Sequence, residues 1–288
     1  MPELAEVEFY RRQWAVAAGR KVRAMEVHAQ ARVFRDCDQA ALRRAVEGRA
    51  LAELRAHGKQ MFLRFGSRGW VKVHLGMSGE MLVRPPKHEG GPHDHWVLRF
   101  SGCALVFQDP RMFGCVRWLG EGIDPPGWAE LPPEVTGPAF TSGFVRAFLT
   151  KRRKSSLKAV LLDQAGFPGI GNWMADEILW RCRFHPATPA GALDEAEIVL
   201  LRRETRTVAR GAIRSIGADW TDPPDSWLMT RRWKPGGHCP RCAAPLDREE
   251  IGGRTTCWCP RCQHFPLARG TGSPDKFSGR RTIRPTQG

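Results

Sequence analysis

Two short knuckles toward the C-terminal end, Cys239-Pro-Arg-Cys242 and Cys259-Pro-Arg-Cys262, constrain this chain more than any other stretch. A CxxC turn aims two thiolates at one point, and the 16 residues between the knuckles let two such turns face each other across a β-hairpin. The pattern calls for one structural metal ion held by Cys239, Cys242, Cys259 and Cys262; zinc is the expected ion, with an iron site or a redox dithiol as the alternatives. Cys257 is expected to be spare, because Cys259, not Cys257, keeps CxxC spacing with Cys262. A closed four-cysteine site holds shape and does no chemistry. The chain has nine cysteines, and Cys37, Cys103, Cys115 and Cys182 stand alone, which is metal spacing in a reducing compartment and not a disulfide framework.

A zinc hairpin rarely stands alone, and 288 residues leave room for two ordinary domains before it. The net charge of +15, from 45 basic and 30 acidic residues, favours a polyanionic partner, nucleic acid first, against the plain alternative of a basic solvated surface. No apolar run reaches the ~20 residues of a membrane span. Glu3, Glu6 and Glu8 stand where an export signal would be basic and then apolar. The expectation is a cytoplasmic, nucleoid-associated protein with no membrane partner.

The texture of the chain divides it. Leu4, Val7 and Trp14 recur at helical intervals behind an acidic first turn. From about residue 50 to 118 the pattern alternates, as in Met61-Phe62-Leu63-Arg64-Phe65, and no helix separates the strands, so an antiparallel sandwich is expected. The Pro- and Gly-rich stretch 120–138 reads as a linker. Helical periodicity follows, including a long helix from Asp194, paired with Glu197 as a capping box, to near Gly217. The expected fold class is α+β multidomain. It has an N-terminal antiparallel β-sandwich with a leading helix (1–134), a helical domain (135–230), a zinc ribbon (231–266) and a disordered basic tail (267–288). Arg254, beside the expected hairpin turn Gly252-Gly253, is placed to enter a DNA groove or to be a solvated surface cation.

The opening Met1-Pro2-Glu3-Leu4-Ala5-Glu6-Val7-Glu8 carries a second, chemical reading. Removal of Met1 exposes the secondary amine of Pro2, which can attack an anomeric carbon while nearby carboxylates move protons. Ordinary helix capping explains the same residues. Several further motifs decide between them: Gly58-Lys59-Gln60, His74-Leu75-Gly76-Met77-Ser78-Gly79, His93-Asp94-His95, Asp109-Pro110-Arg111-Met112-Phe113-Gly114, Leu161-Leu162-Asp163-Gln164 and Gly169-Ile170-Gly171-Asn172 followed by Ala175-Asp176-Glu177. With the zinc knuckles they follow in order from Pro2 to Cys262, and in this the chain resembles the formamidopyrimidine-DNA glycosylase/endonuclease VIII family of base-excision repair enzymes.

The resemblance implies a monomeric bifunctional DNA glycosylase and abasic-site lyase acting on damaged double-stranded DNA, with the helical domain a helix-two-turns-helix. It implies that Pro2 is the nucleophile and Schiff-base former, followed by β,δ-elimination. Glu3 would be the acid/base at the sugar, Glu6 its support, and Lys59 the phosphate contact that assists elimination. Met77, Arg111 and Phe113 would fill the gap left by an everted nucleotide, although Met77 and Phe113 in strand-rich sequence otherwise read as core. Asn172, Lys158 and Arg254 would grip DNA phosphates, with Asn172 also readable as a helix cap. Oxidised purines are the expected substrates. Oxidised pyrimidines, or lesion binding without catalysis, are the alternatives, and RNA binding explains the charge but not the acidic N-terminus. The chain departs from the family pattern at Ala5, Met112, Trp173-Met174, the segment 214–226 and Thr230-Arg231-Arg232-Trp233.

Overall fold

The computed structural model describes residues 2–28, 31–233 and 235–265. The basic tail expected from 267 lies outside the described residues. The chain opens with helix α1 (Leu4–Trp14) and strand β1 (Ala24–Val27). A short helix α2 (Gln39–Val46), not anticipated from the sequence, follows; Asp38 caps it by accepting from the amides of Ala40 and Ala41. Then come β2 (Leu51–His57), β3 (Gln60–Phe65), β4 (Gly69–His74), β5 (Glu80–Arg84), β6 (Asp94–Arg99), β7 (Ala104–Gln108) and β8 (Cys115–Glu121).

These strands make two antiparallel four-stranded sheets, in the orders β1-β6-β7-β5 and β2-β3-β4-β8. Alternation explains which faces meet. Met61, Leu63 and Phe65 of β3 and Val71 and Val73 of β4 point into the shared core with Trp96, Leu98, Leu105 and Phe107 from the other sheet. Phe62 breaks the alternation and is buried too, because the Trp128 ring covers it edge-on at 5.2 Å.

A second core belongs to helices α3 (Ser142–Lys151), α4 (Leu157–Leu162), α5 (Asn172–Cys182), α6 (Glu195–Arg214) and the single turn α7 (Ile216–Asp219). The Asp194–Glu197 capping box is present, each backbone amide donating to the other side chain at 2.8–2.9 Å. The long helix ends three residues earlier than expected, where Ser215 leaves helical backbone and its hydroxyl donates back to the carbonyl of Gly211. The hairpin β9 (Asp247–Ile251) and β10 (Arg254–Trp258) turns at Gly252-Gly253, both in the left-handed region.

Helix α1 serves both cores. Val7, Tyr10 and Trp14 pack with the sheets, while Ala5 packs with the helices. The N-terminus is thereby clamped at the seam between the two bodies, with the start of α5 against it.

Candidate active site and metal centre

Glu3 is buried beneath that seam, and its carboxylate caps a helix that begins 169 residues later. Its oxygens accept from the amides of Gly171 at 2.9 Å, Trp173 at 3.0 Å and Met174 at 3.3 Å, so the N-terminus of α5 is satisfied by a side chain from another part of the chain. The fit needs glycine: a Cβ on Gly171 would lie 2.3 Å from the Glu3 carboxyl carbon. Leu4 completes the splice by donating its amide to the Gly169 carbonyl at 3.1 Å. Burial chiefly, and then the neighbouring Glu6, raises the Glu3 carboxyl to about 7; Lys59 and the backbone donors pull the other way.

Glu6 lies one turn along α1. One oxygen accepts the Glu3 amide at 3.0 Å and the other the Trp173 indole N–H at 3.3 Å, and burial raises its pKa as well. Pro2 and Glu6 line an open cleft of about 240 Å³ whose walls include Met77, Trp173, Trp220 and Trp233. Lys59 sits in the β2–β3 turn, held against the α5 entry because Gly58, in the left-handed region, packs on Gly169. Burial lowers the Lys59 pKa and the Glu3 and Glu6 charges raise it, while Arg254 adds a repulsion that places the hairpin tip within electrostatic reach of this corner.

Met77 and the Arg111–Phe113 segment occupy neighbouring loops fastened together by one buried carboxylate. Asp109 accepts from the Ser78 hydroxyl at 2.6 Å and from the Gly114 amide at 2.7 Å. Met77 and Phe113 are 41% and 52% exposed, so they are not the core residues that strand-rich sequence alone suggests. The Arg111 guanidinium lies 5.0 Å from the Phe113 ring centroid, and Met112 between them takes a left-handed backbone. Asn172 donates its side-chain amide to the Thr255 carbonyl at 2.9 Å, joining the start of α5 to the zinc hairpin. Its other side-chain atom, Oδ1, is buried with no partner among the described residues.

Lys158 is a correction. Expected at a phosphate, it is wholly buried: its ammonium pairs with Asp176 at 2.5 Å and donates to the Asn172 carbonyl at 2.8 Å. Arg232 and the Cys257 amide converge on the other oxygen of the same Asp176. A cation enclosed this way positions Asn172 and the hairpin and does not touch solvent-borne phosphate. The sequence reading also passed over His74 and Arg35. His74, half-buried and accepting from the Gly76 amide at 3.0 Å, is held below its ordinary pKa by burial first, then by Lys59, Lys72 and Arg35. That cationic cluster was foreshadowed by the His in the Met77 motif.

The four expected cysteines converge. Their sulfurs lie within 4.8 Å of one another, with Cys242 3.5 Å from Cys259 and 3.4 Å from Cys262, and Cys239 3.9 Å from Cys262. Tetrahedral zinc with bonds of about 2.3 Å sets sulfurs about 3.8 Å apart, so the donor set fits zinc. The Trp180 indole N–H, 3.3 Å from Cys239, and neighbouring amides favour its thiolate. Cys257 stays outside this cluster: it lies in β10, where its amide donates to Asp176, whereas Cys259 falls just beyond the strand's last residue, Trp258.

Three family models match: the formamidopyrimidine-DNA glycosylase N-terminal domain over residues 1–116, the formamidopyrimidine-DNA glycosylase H2TH domain over 131–222, and the zinc finger found in FPG and IleRS over 236–264. The formamidopyrimidine-DNA glycosylase of Aromatoleum aromaticum is 37% identical over 273 residues, covering 91% of this chain and 99% of that protein. That of Symbiobacterium thermophilum is 35% identical over 280 residues, covering 92% and 90%. Among solved structures, MutM in complex with DNA containing carbocyclic 8-oxo-G superposes with a TM-score of 0.82 at 28% identity, covering 91% of this chain and 99% of that one. Lactococcus lactis Fpg with DNA containing an abasic site gives 0.81 at 27%, with the same coverage. No helix among the described residues is long and apolar enough to cross a membrane.

Proposed function

This chain belongs to the formamidopyrimidine-DNA glycosylase family, and from that premise we propose that it is a monomeric base-excision repair enzyme that removes oxidised purines from duplex DNA and then cuts the strand as an abasic-site lyase. The carrying observation is the placement of Pro2 and Glu6 at one cleft, over a buried Glu3 carboxyl raised to about 7. A carboxyl with that pKa both gives and takes protons at neutral pH.

Once Met1 is removed, the neutral Pro2 nitrogen attacks C1′ of the damaged nucleotide, its lone pair forming the new C–N bond as the glycosidic bond breaks and the base leaves with the pair. The Pro2 nitrogen gives up its proton to the departing base, which leaves neutral. Glu3, protonated, delivers a proton to the ring oxygen; the sugar opens and an iminium forms between Pro2 and C1′. The iminium acidifies C2′, so loss of that proton expels the 3′ phosphate. Loss of a further proton, at C4′, expels the 5′ phosphate. Glu6 holds the Glu3 backbone in place throughout. Lys59, with Arg254, supplies positive charge to the flanking phosphates, and Asn172 joins them from the helix N-terminus. Met77, Arg111 and Phe113 enter the space vacated by the everted nucleotide and restore part of the lost stacking.

Residues 1–134 carry this chemistry in our reading, 135–230 the helix-two-turns-helix grip and 231–266 the ribbon. Zinc held by Cys239, Cys242, Cys259 and Cys262 neutralises the thiolates and locks the ribbon that presents Arg254. A duplex DNA substrate places the enzyme's work on the nucleoid, in the cytoplasm. Borohydride trapping on duplexes carrying 8-oxoguanine or an abasic site tests the assignment. Wild type forms a covalent adduct and Pro2→Gly forms none while still binding DNA; an undiminished adduct in Pro2→Gly, or none in wild type, overturns the Pro2 mechanism.

A further inference from the structure

Three of the chain's departures from the family pattern meet in space. Trp173, Trp220 from the divergent segment 214–226, and Trp233 all line the cleft that holds Pro2 and Met77. At about 240 Å³ the cleft is smaller than the roughly 300–1,000 Å³ of drug-sized sites and on the scale of one heterocyclic base.

Two of these indoles are held open to solvent. Trp220 and Trp233 are 47% and 54% exposed, an arrangement that apolar surface resists unless something covers it. Trp220 adopts a left-handed backbone, φ +64°, which a bulky residue seldom takes without constraint. Its ring rests on Phe9 at 4.7 Å and Tyr10 at 5.4 Å, and so is fixed to the helix that begins beside Glu3. Trp233 lies 4.7 Å from the Arg232 guanidinium, which Asp176 anchors. Trp173, nearly buried, forms the floor and donates to Glu6. These are rigid flat surfaces beside the nucleophile.

We propose that Trp220 and Trp233 form an aromatic clamp for the everted base and that the clamp selects lesions whose ring stays planar and conjugated, oxidised purines and formamidopyrimidines, over saturated pyrimidines. The proposal rests on the glycosylase reading above. Stacking needs a flat π-face; a pyrimidine saturated at C5 and C6 is puckered and offers none. Deoxyribose at an abasic site has no base to stack, so the clamp acts on base release and not on the lyase step.

The test compares single-turnover release of 8-oxoguanine and of thymine glycol with cleavage of a preformed abasic duplex, and measures binding of all three duplexes without turnover. Wild type favours 8-oxoguanine over thymine glycol. Trp220→Ala and Trp233→Ala each lower the ratio of 8-oxoguanine release to abasic cleavage by about tenfold, in the range that loss of one stacked base gives, and Trp220→Phe recovers most of it. Trp233→Ala is the control for folding, because its ring is supported by the Arg232 guanidinium while that of Trp220 rests on Phe9 and Tyr10. An unchanged ratio, or equal loss of release and cleavage in both alanine variants, overturns the clamp. If wild type neither cleaves abasic DNA nor traps, the Pro2 mechanism fails instead. The clamp is then judged by binding alone: it stands only if both alanine variants lose preference for the 8-oxoguanine duplex over the abasic one.

Discussion

Two carboxylates are buried against the same helix and do opposite work. Asp176, in α5, is matched by Lys158 and Arg232 and accepts the Cys257 amide as well, so its charge is neutralised by fixed partners from α4, the connector and the zinc hairpin. Glu3, at the entry of α5, receives only backbone amides, and its nearest cationic influence, Lys59, does not offset burial. Equal burial therefore gives a strut in one place and an exchangeable proton in the other. The partners, more than the burial, decide which.

That contrast is broken most directly by neutralising each group in turn. Glu3→Gln is expected to slow base release by about 10²–10⁴-fold, the usual contribution of a positioned acid or base, while unfolding in urea changes little. Asp176→Asn strands two buried cations and is expected to cost about 3–5 kcal/mol of stability, with any loss of excision following the loss of folded protein. If Glu3→Gln mainly unfolds the protein, or Asp176→Asn abolishes excision at full stability, the distinction between strut and proton donor is wrong.

The hairpin sharpens the comparison because it is held from two sides, by Asp176 at Cys257 and by the metal at the neighbouring knuckles. Replacing Cys242 and Cys262 by Ser is expected to take zinc from one ion per chain to none by elemental analysis. Affinity for abasic duplex should fall by about tenfold or more, as Arg254 and the Thr255 anchor of Asn172 lose their frame. Full metal content in that variant would remove zinc from the cluster; full affinity would mean that Asp176 alone keeps the hairpin in place.

What the sequence made legible follows the range of the forces involved. The knuckles and the capping box at Asp194 are local patterns, and the structure contains both. Strand parity does not set Cys257 aside, because residues two apart share a strand face; Cys259 is separated instead by lying past the end of β10. The alternating strands gave the two sheets. Lys158 was set at a phosphate by the resemblance alone, and no local pattern signals that a lysine in a helix is buried. Its burial depends on Asp176, 18 residues on, and on Arg232, beyond the next two helices. The cleft was illegible for the same reason: Trp220 and Trp233 come from irregular segments, where periodicity carries no signal, and only the fold sets them beside Pro2.

The smallest effect is a pH dependence, and its sign follows from Glu3. The unfolded carboxyl titrates near 4.5 and the folded one near 7, so between those values the native state holds a proton that the unfolded chain has lost. Stability therefore falls as pH rises from about 4.5 to about 7 and is level in this respect above it. Glu6 and Glu177, also raised by burial, contribute with the same sign, so the informative quantity is the difference between wild type and Glu3→Gln in urea unfolding at several pH values. The variant should have the shallower slope across that window and match wild type's slope above it. Base release, which uses the protonated acid, should decline by up to about tenfold per pH unit above 7 in wild type. Parallel stability curves for the two proteins would mean that Glu3 is ionised in the native state throughout, a second version of the Asp176 strut.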